Sequence, residues 1–154
     1  MNISKGAVVL ALLGACAGAQ VSEKAMEQRP EGSGTVTVRI EGVESSTGSV
    51  YASIYLTPEG FPEDKALAYI YQSAQAEAVP VQFTFEDIPA GWIAVAVLHD
   101  EDMNGELTLS RLGIPKEDYG FSLNPDSFFG PPAFDEAAVL LEQGQHERLV
   151  VEIQ

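Results

Sequence analysis

Hydrophobic and polar positions alternate with a period of two in four separate runs of this chain. In "TVTVRIEGV", Val36, Val38 and Ile40 face one way against Thr35, Thr37 and Arg39, the signature of a strand with one buried side. "GSVYASIYLT" repeats it, with Val50, Ala52, Ile54 and Leu56 on one face and Tyr51, Ser53 and Tyr55 on the other. The intervening "EGVESSTG" is hairpin-like loop material. "VPVQFTFEDI" turns Val81, Phe83 and Phe85 inward and Gln82, Thr84 and Glu86 outward, and "RLVVEIQ" buries Leu149, Val151 and Ile153. "WIAVAVLH" is apolar on both faces, which predicts a central strand, and "AAVLLE" supplies one more candidate.

Two stretches lack this regularity. Residues 57–77 open on Pro58 and Gly60 and are expected to hold a short helix or an irregular excursion. Ser110 to Asp135 is rich in Gly, Pro and aromatics, longer than most loops of compact domains. No internal repeat or coiled coil is visible. Six or seven short strands with almost no helix predict an all-β chain, a single two-sheet antiparallel β-sandwich of Ig-like type carrying a long Gly/Pro/aromatic loop. Periodicity does not reveal the order of connection.

At 154 residues the chain supports one domain with its own core. Its first residues are read as an export signal, with Lys5 as the basic flank and Ala7 to Leu13 as an apolar stretch too short to span a bilayer. Two cleavage positions compete. "LGAC" ending at Cys16 has the form of a bacterial lipobox, giving a signal over 1–15 and an acylated Cys16; "AGA" gives a signal over 1–19. Residues 16–34 read as a flexible tether and 35–154 as the sandwich. Cys16 is the only cysteine, so no disulfide is expected in the domain.

The formal net charge of −15 and the scattering of eight Lys and Arg exclude a nucleic-acid partner. They also argue against unaided binding to an anionic lipid surface, leaving an acyl group on Cys16 as the route to a membrane.

Candidate chemistry concentrates in "VLHDEDMNGELT". Asp100, Asp102, Asn104 and Gly105 fit the calcium-loop pattern D-x-[DN]-x-[DN]-G, in which oxygens at positions one, three and five converge on the ion. Glu106 would lend its carbonyl and Thr108 its hydroxyl. Position twelve is Arg111 instead of a bidentate Glu, which excludes an EF-hand and leaves half a site. Glu101, Glu117, Asp118 and Asp135 are available to complete it. The competing and favoured reading is an acidic turn whose Asx side chains cap backbone amides, with Asn104-Gly105 as a hairpin signal.

His99 beside Asp100 invites a catalytic reading, a small hydrolase or isomerase. Yet there is no nucleophile elbow, and the only other histidine is His146, too few for a zinc site. His99 is expected to close its strand. Tyr119, Phe121, Phe128 and Phe129, with Phe134, could form a platform for a sugar or peptide, although packing beneath the long loop is favoured. Trp92 is expected in the core.

The segments "IPAGWIAVAVLHDEDMNGEL", "GIPKEDYGFS" and "GPPAFDEAAV" resemble, in order and spacing, the pattern of the domain of unknown function 2141 family, exported bacterial proteins. The resemblance covers about Val36 to Ile153 and departs at Thr108, where the family pattern leads one to expect an Asp. It implies no activity. The "FTFEDIPAGWIAVAVLHDED" segment is also similar to prealbumin-like and carboxypeptidase-regulatory-like sandwiches, which implies an accessory or binding module.

The chain is therefore expected to be a non-catalytic exported module of the bacterial envelope, periplasmic or an outer-membrane lipoprotein. Its partner would be an envelope protein or a glycan, and calcium is the one cofactor the sequence suggests. A lipid-anchored structural scaffold is a further alternative.

Overall fold

Alternating side chains become strands only where two inner faces can meet, and here they do. The computed structural model describes residues 31–76, 80–126 and 130–154. Among these lie eight strands: β1 (Ser33–Glu41), β2 (Ser49–Tyr55), β3 (Ile70–Gln75), β4 (Val81–Pro89), β5 (Gly91–Asp100), β6 (Tyr119–Phe121), β7 (Val139–Leu141) and β8 (His146–Glu152). The first sheet has the order β4-β1-β8, and the second β3-β2-β5-β6 with β7 also paired to β5. The all-β, two-sheet sandwich expected from the sequence is the observed architecture.

The inward sets match the alternation. Val36, Val38, Ile40, Val81, Phe83, Phe85, Leu149, Val151 and Ile153 from one sheet meet Val50, Ala52, Ile54, Ile93, Val95 and Val97 from the other in one buried cluster. One pairing departs from a purely antiparallel sandwich: β1 and β8 run parallel, from Thr35 opposite His146 to Glu41 opposite Glu152. A parallel neighbour needs a long crossover, and here the whole rest of the domain serves as one.

Residues 57–76 resolve into a 3-10 turn (Lys65–Leu67), capped by the Asp64 carboxylate on the Ala66 amide, followed by β3. The excursion covers the outer face of the second sheet. Tyr55, Ala94, Ala96, Phe121 and Ala137 form a second buried cluster there, with Phe61, Tyr119 and Phe134 packed against it. The Phe61 ring stands edge-on to those of Tyr55, Phe121 and Phe134 at 5.3, 6.0 and 5.8 Å. This outer layer explains why β5 is apolar on both faces. A one-turn helix, α1 (Phe134–Ala137), brings Ala137 under it. Ser122 locks the layer: its buried Oγ accepts from Val95 N at 2.9 Å and donates to the Ala137 carbonyl at 2.6 Å.

Trp92 corrects the expectation of a core tryptophan. It is exposed, because it shares the outer face of β5 at the strand's start, opposite Leu140 of β7, which is exposed as well. The sheets also meet along an edge. The Tyr119 and Gln154 backbones exchange hydrogen bonds of 3.3 and 3.2 Å, and Gly120 lies so near β8 that a Cβ there would come within 2.4 Å of the Glu152 carbonyl.

Burial, with a smaller contribution from Asp64, pushes the Tyr55 hydroxyl up to about 12 from an ordinary 10.0. The unfolded chain loses this proton first, so stability that is intact below pH 10 drains away as pH rises towards 12. We expect Tyr55→Phe to gain stability relative to the parent between these limits, read by urea unfolding on either side of the window. A constant difference between the two proteins would contradict this.

Candidate functional site

β5 ends by handing its two faces to different tasks. His99 continues the inner face of Val95 and Val97, whereas Asp100 continues the outer face of Ala96 and Leu98. Both side chains are fully buried. The His99 ring bonds through Nε2 to the Thr47 carbonyl at 2.9 Å, which requires Nε2 to donate. Its Nδ1 is the one buried side-chain polar atom without a partner among the described residues.

Asp100 organises the loop that follows. Its Oδ1 accepts from Asn104 N at 3.1 Å and its Oδ2 from Gly105 N at 2.7 Å. Met103 and Gly105 take left-handed conformations, φ 58° and 83°, as the chain wraps around this carboxylate. Asn104-Gly105 therefore closes an acid-centred loop and does not form a hairpin. Asp102 is capped from outside: its Oδ2 accepts from the Thr108 hydroxyl at 2.9 Å and Asn104 Nδ2 at 3.1 Å. The amide oxygen of Asn104 in turn accepts from Glu106 N at 2.7 Å.

Of the four acids available to complete a site, the fold selects Glu117. It is 6% exposed. Its Oε1 accepts from Glu101 N at 3.0 Å and Asp102 N at 3.4 Å, and its Oε2 from Thr108 N at 2.8 Å. One carboxylate oxygen from each of Asp100, Asp102 and Glu117 lies within 4.8 Å of the others. Glu101 and Asp135 are exposed, and Asp118 holds the strand end through its carbonyl on His99 N at 2.9 Å. Gly48 presses on the site from β2's start: at φ 77°, a Cβ there would meet the Asp100 carbonyl at 2.0 Å. Only glycine fits.

The sequence did not point to Lys65. From the 3-10 turn its Nζ donates to the Gly105 carbonyl at 2.8 Å and sits 4.4 Å from the Tyr51 ring centroid and 5.6 Å from that of Tyr71. A lone lysine 40 residues upstream, in a segment without periodicity, carries no signal that would join it to the loop.

Calcium takes about six to eight oxygens at about 2.3–2.6 Å. A separation of 4.8 Å is about the width of such a coordination sphere, so the three carboxylates suit a common ion. Thr108 Oγ1 and Asn104 Oδ1 are the next oxygens at hand, though each is already bonded within the loop. The side chain of Glu106 is exposed and takes no part.

The aromatic platform dissolves in part. Phe121 is buried in the second cluster, since β6 pairs with β5 and turns it inward; Phe134 is half-buried beside Phe61. Half-buried Tyr119 lines a cavity of about 250 Å³ with Asn124, Asp126, Glu152 and Gln154. Phe128, Phe129 and Cys16 lie outside the described residues.

Asp100→Ala removes a fully buried acceptor and leaves the half-buried Gly105 N without its partner, while Asn104 N keeps a 3.1 Å bond to Asp102 Oδ1. It is expected to cost about 1–3 kcal/mol, whereas the exposed Asp102→Asn is expected to cost less than about 1 kcal/mol. Urea unfolding at neutral pH checks both values. Equal losses would mean that the Asp100 carboxylate does not organise the loop.

A family model described as "Uncharacterized protein conserved in bacteria (DUF2141)" matches residues 38–148. No curated protein and no solved structure matches the chain.

Proposed function

The chain belongs to the DUF2141 family of bacterial proteins, and on that premise we propose that it is an exported, non-catalytic accessory module of the cell envelope whose acidic loop is pinned by calcium. One observation carries the metal part: oxygens of Asp100, Asp102 and Glu117 converge within 4.8 Å, and two of these side chains are buried. Three carboxylates at this distance repel one another unless a cation or donated protons offset the charge. A calcium ion would do so while leaving the amide hydrogen bonds in place, because each carboxylate oxygen has two lone pairs.

The non-catalytic part is supported by His99. With no exposed surface, its ring cannot reach a substrate from solvent, and it already donates to the Thr47 carbonyl. The expected partner is an envelope protein or a glycan.

A second reading of the loop rests on its own observation. All four oxygens of Asp100 and Glu117 accept from backbone amides, so the loop has an internal reason to keep these acids without any metal.

Calcium decides between the two. A native-state ligand at a hundred times its dissociation constant stabilises by about 2.7 kcal/mol. Millimolar calcium is expected to raise the melting temperature of the parent and to slow proteolysis between residues 99 and 135. Asp102→Asn should lose both effects while keeping its fold. If calcium alters neither property in the parent, the structural turn is the correct reading.

The location has a separate test. The leader and Cys16 motif support attachment through an acyl chain. Cys16→Ala is then expected to move the protein from the membrane fraction to the soluble fraction of the envelope. Unchanged membrane association would refute the acyl anchor.

A further inference from the structure

Past the acidic loop the chain forms a small hairpin of its own. Lys116 N donates to the Thr108 carbonyl at 2.9 Å, Ser110 N to the Ile114 carbonyl at 2.7 Å and Gly113 N to the Ser110 carbonyl at 3.0 Å. The Ser110 hydroxyl accepts from Ile114 N at 3.0 Å, and Leu109 bridges to Pro115. The finger is thus held by its own hydrogen bonds. It presents three large aliphatic side chains to solvent: Leu109 at 52%, Leu112 at 86% and Ile114 at 59% exposure. A Cβ built on Gly113 meets nothing within 4 Å, so the tip stands clear of the body.

Its charge is as unusual as its exposure. The chain carries 23 Asp and Glu, yet none falls between Thr108 and Lys116. Arg111 and Lys116 lie within those nine residues, and both are exposed. A net negative charge argues against adhesion of the whole surface to anionic lipid, but salt confines that repulsion to about 8 Å. Asp102 and Glu117 bond Thr108 at the base of the hairpin, but four residues of extended chain, at about 3.3 Å each, carry the Leu112 tip beyond that range. Aliphatic side chains on a rigid tip, flanked by cations, match the boundary between lipid headgroups and acyl chains. They match a protein partner poorly, since a stable protein interface buries about 800 Å² per side and favours aromatic anchors, which this finger lacks.

We propose that the hairpin 108–116 inserts into the interfacial region of an anionic phospholipid membrane, with Leu112 leading and Arg111 and Lys116 meeting the phosphates. This contact is separate from any acyl chain at Cys16 and requires no metal.

Because Cys16 is the sole cysteine, the full chain can be labelled at one chosen position in a Cys16→Ser background. An environment-sensitive dye is placed at Leu112→Cys, and in a control at Gln143→Cys, in the turn after β7 at the opposite end of the sandwich. Both are mixed, in chelator, with vesicles of phosphatidylglycerol and phosphatidylethanolamine carrying spin-labelled acyl chains. The dye at 112 is expected to shift to the blue and be quenched, and the dye at 143 to be unaffected. Arg111→Glu with Lys116→Glu should weaken the vesicle response at 112 at least about tenfold. Attachment through the apolar leader alone would bring vesicles to the protein without quenching position 112, and that result overturns the proposal. So does a shift at 112 that follows protein concentration without lipid, which would assign the hairpin to a second copy of the chain.

Discussion

The constraint on which most of this structure depends is that β5 is apolar on both faces. Ile93, Val95 and Val97 need cover on one side, and Ala94 and Ala96 need it on the other. The first sheet answers the first need, which fixes the sandwich. The second need draws in segments with little regular structure of their own. The 57–69 excursion brings Phe61, and the chain around α1 brings Phe134 and Ala137. Small residues at 94 and 96 leave room for these rings, and the Ser122 hydroxyl joins the backbone of β5 to that of α1. A long Gly- and Pro-rich loop thus has a structural reason to carry aromatics.

The same alternation, continued two residues further, produces the acidic loop. His99 ends the inner face and Asp100 the outer one, so adjacent residues that looked like a catalytic pair in one dimension point to opposite sides of a sheet. Asp100 then substitutes for the missing strand partner of the turning chain by accepting two of its amides, and Glu117 does the same from across the loop. Thr108 uses its hydroxyl to hold Asp102 in place.

Much of this was legible in the sequence, and the limits have physical causes. Inward residues of β1, β2, β4 and β8 follow directly from a period of two, because burial of one face leaves that trace. β3 and β6 left no such trace. They lie at or near sheet edges, where pairing with a neighbour and not side-chain alternation decides the conformation. Trp92 misled because strong hydrophobicity says nothing of which face a residue occupies at a strand's first turn. The Asp100, Asp102 and Asn104 spacing marked the loop, yet choosing Glu117 over Glu101, Asp118 and Asp135 required the fold. Lys65 was hidden for the same reason: its link to Gly105 is tertiary.

The parallel pairing of β1 with β8 has a mechanical meaning. The chain enters the domain at Ser33 and leaves β8 at Glu152, at opposite ends of two adjacent strands. A pull applied between these points cannot peel the pair apart one bond at a time. It loads every rung of the ladder at once, in shear, and must break them together. A domain hung by its beginning and gripped by its end would thus resist extension with the whole β1–β8 ladder, a geometry in which tension and strand direction coincide.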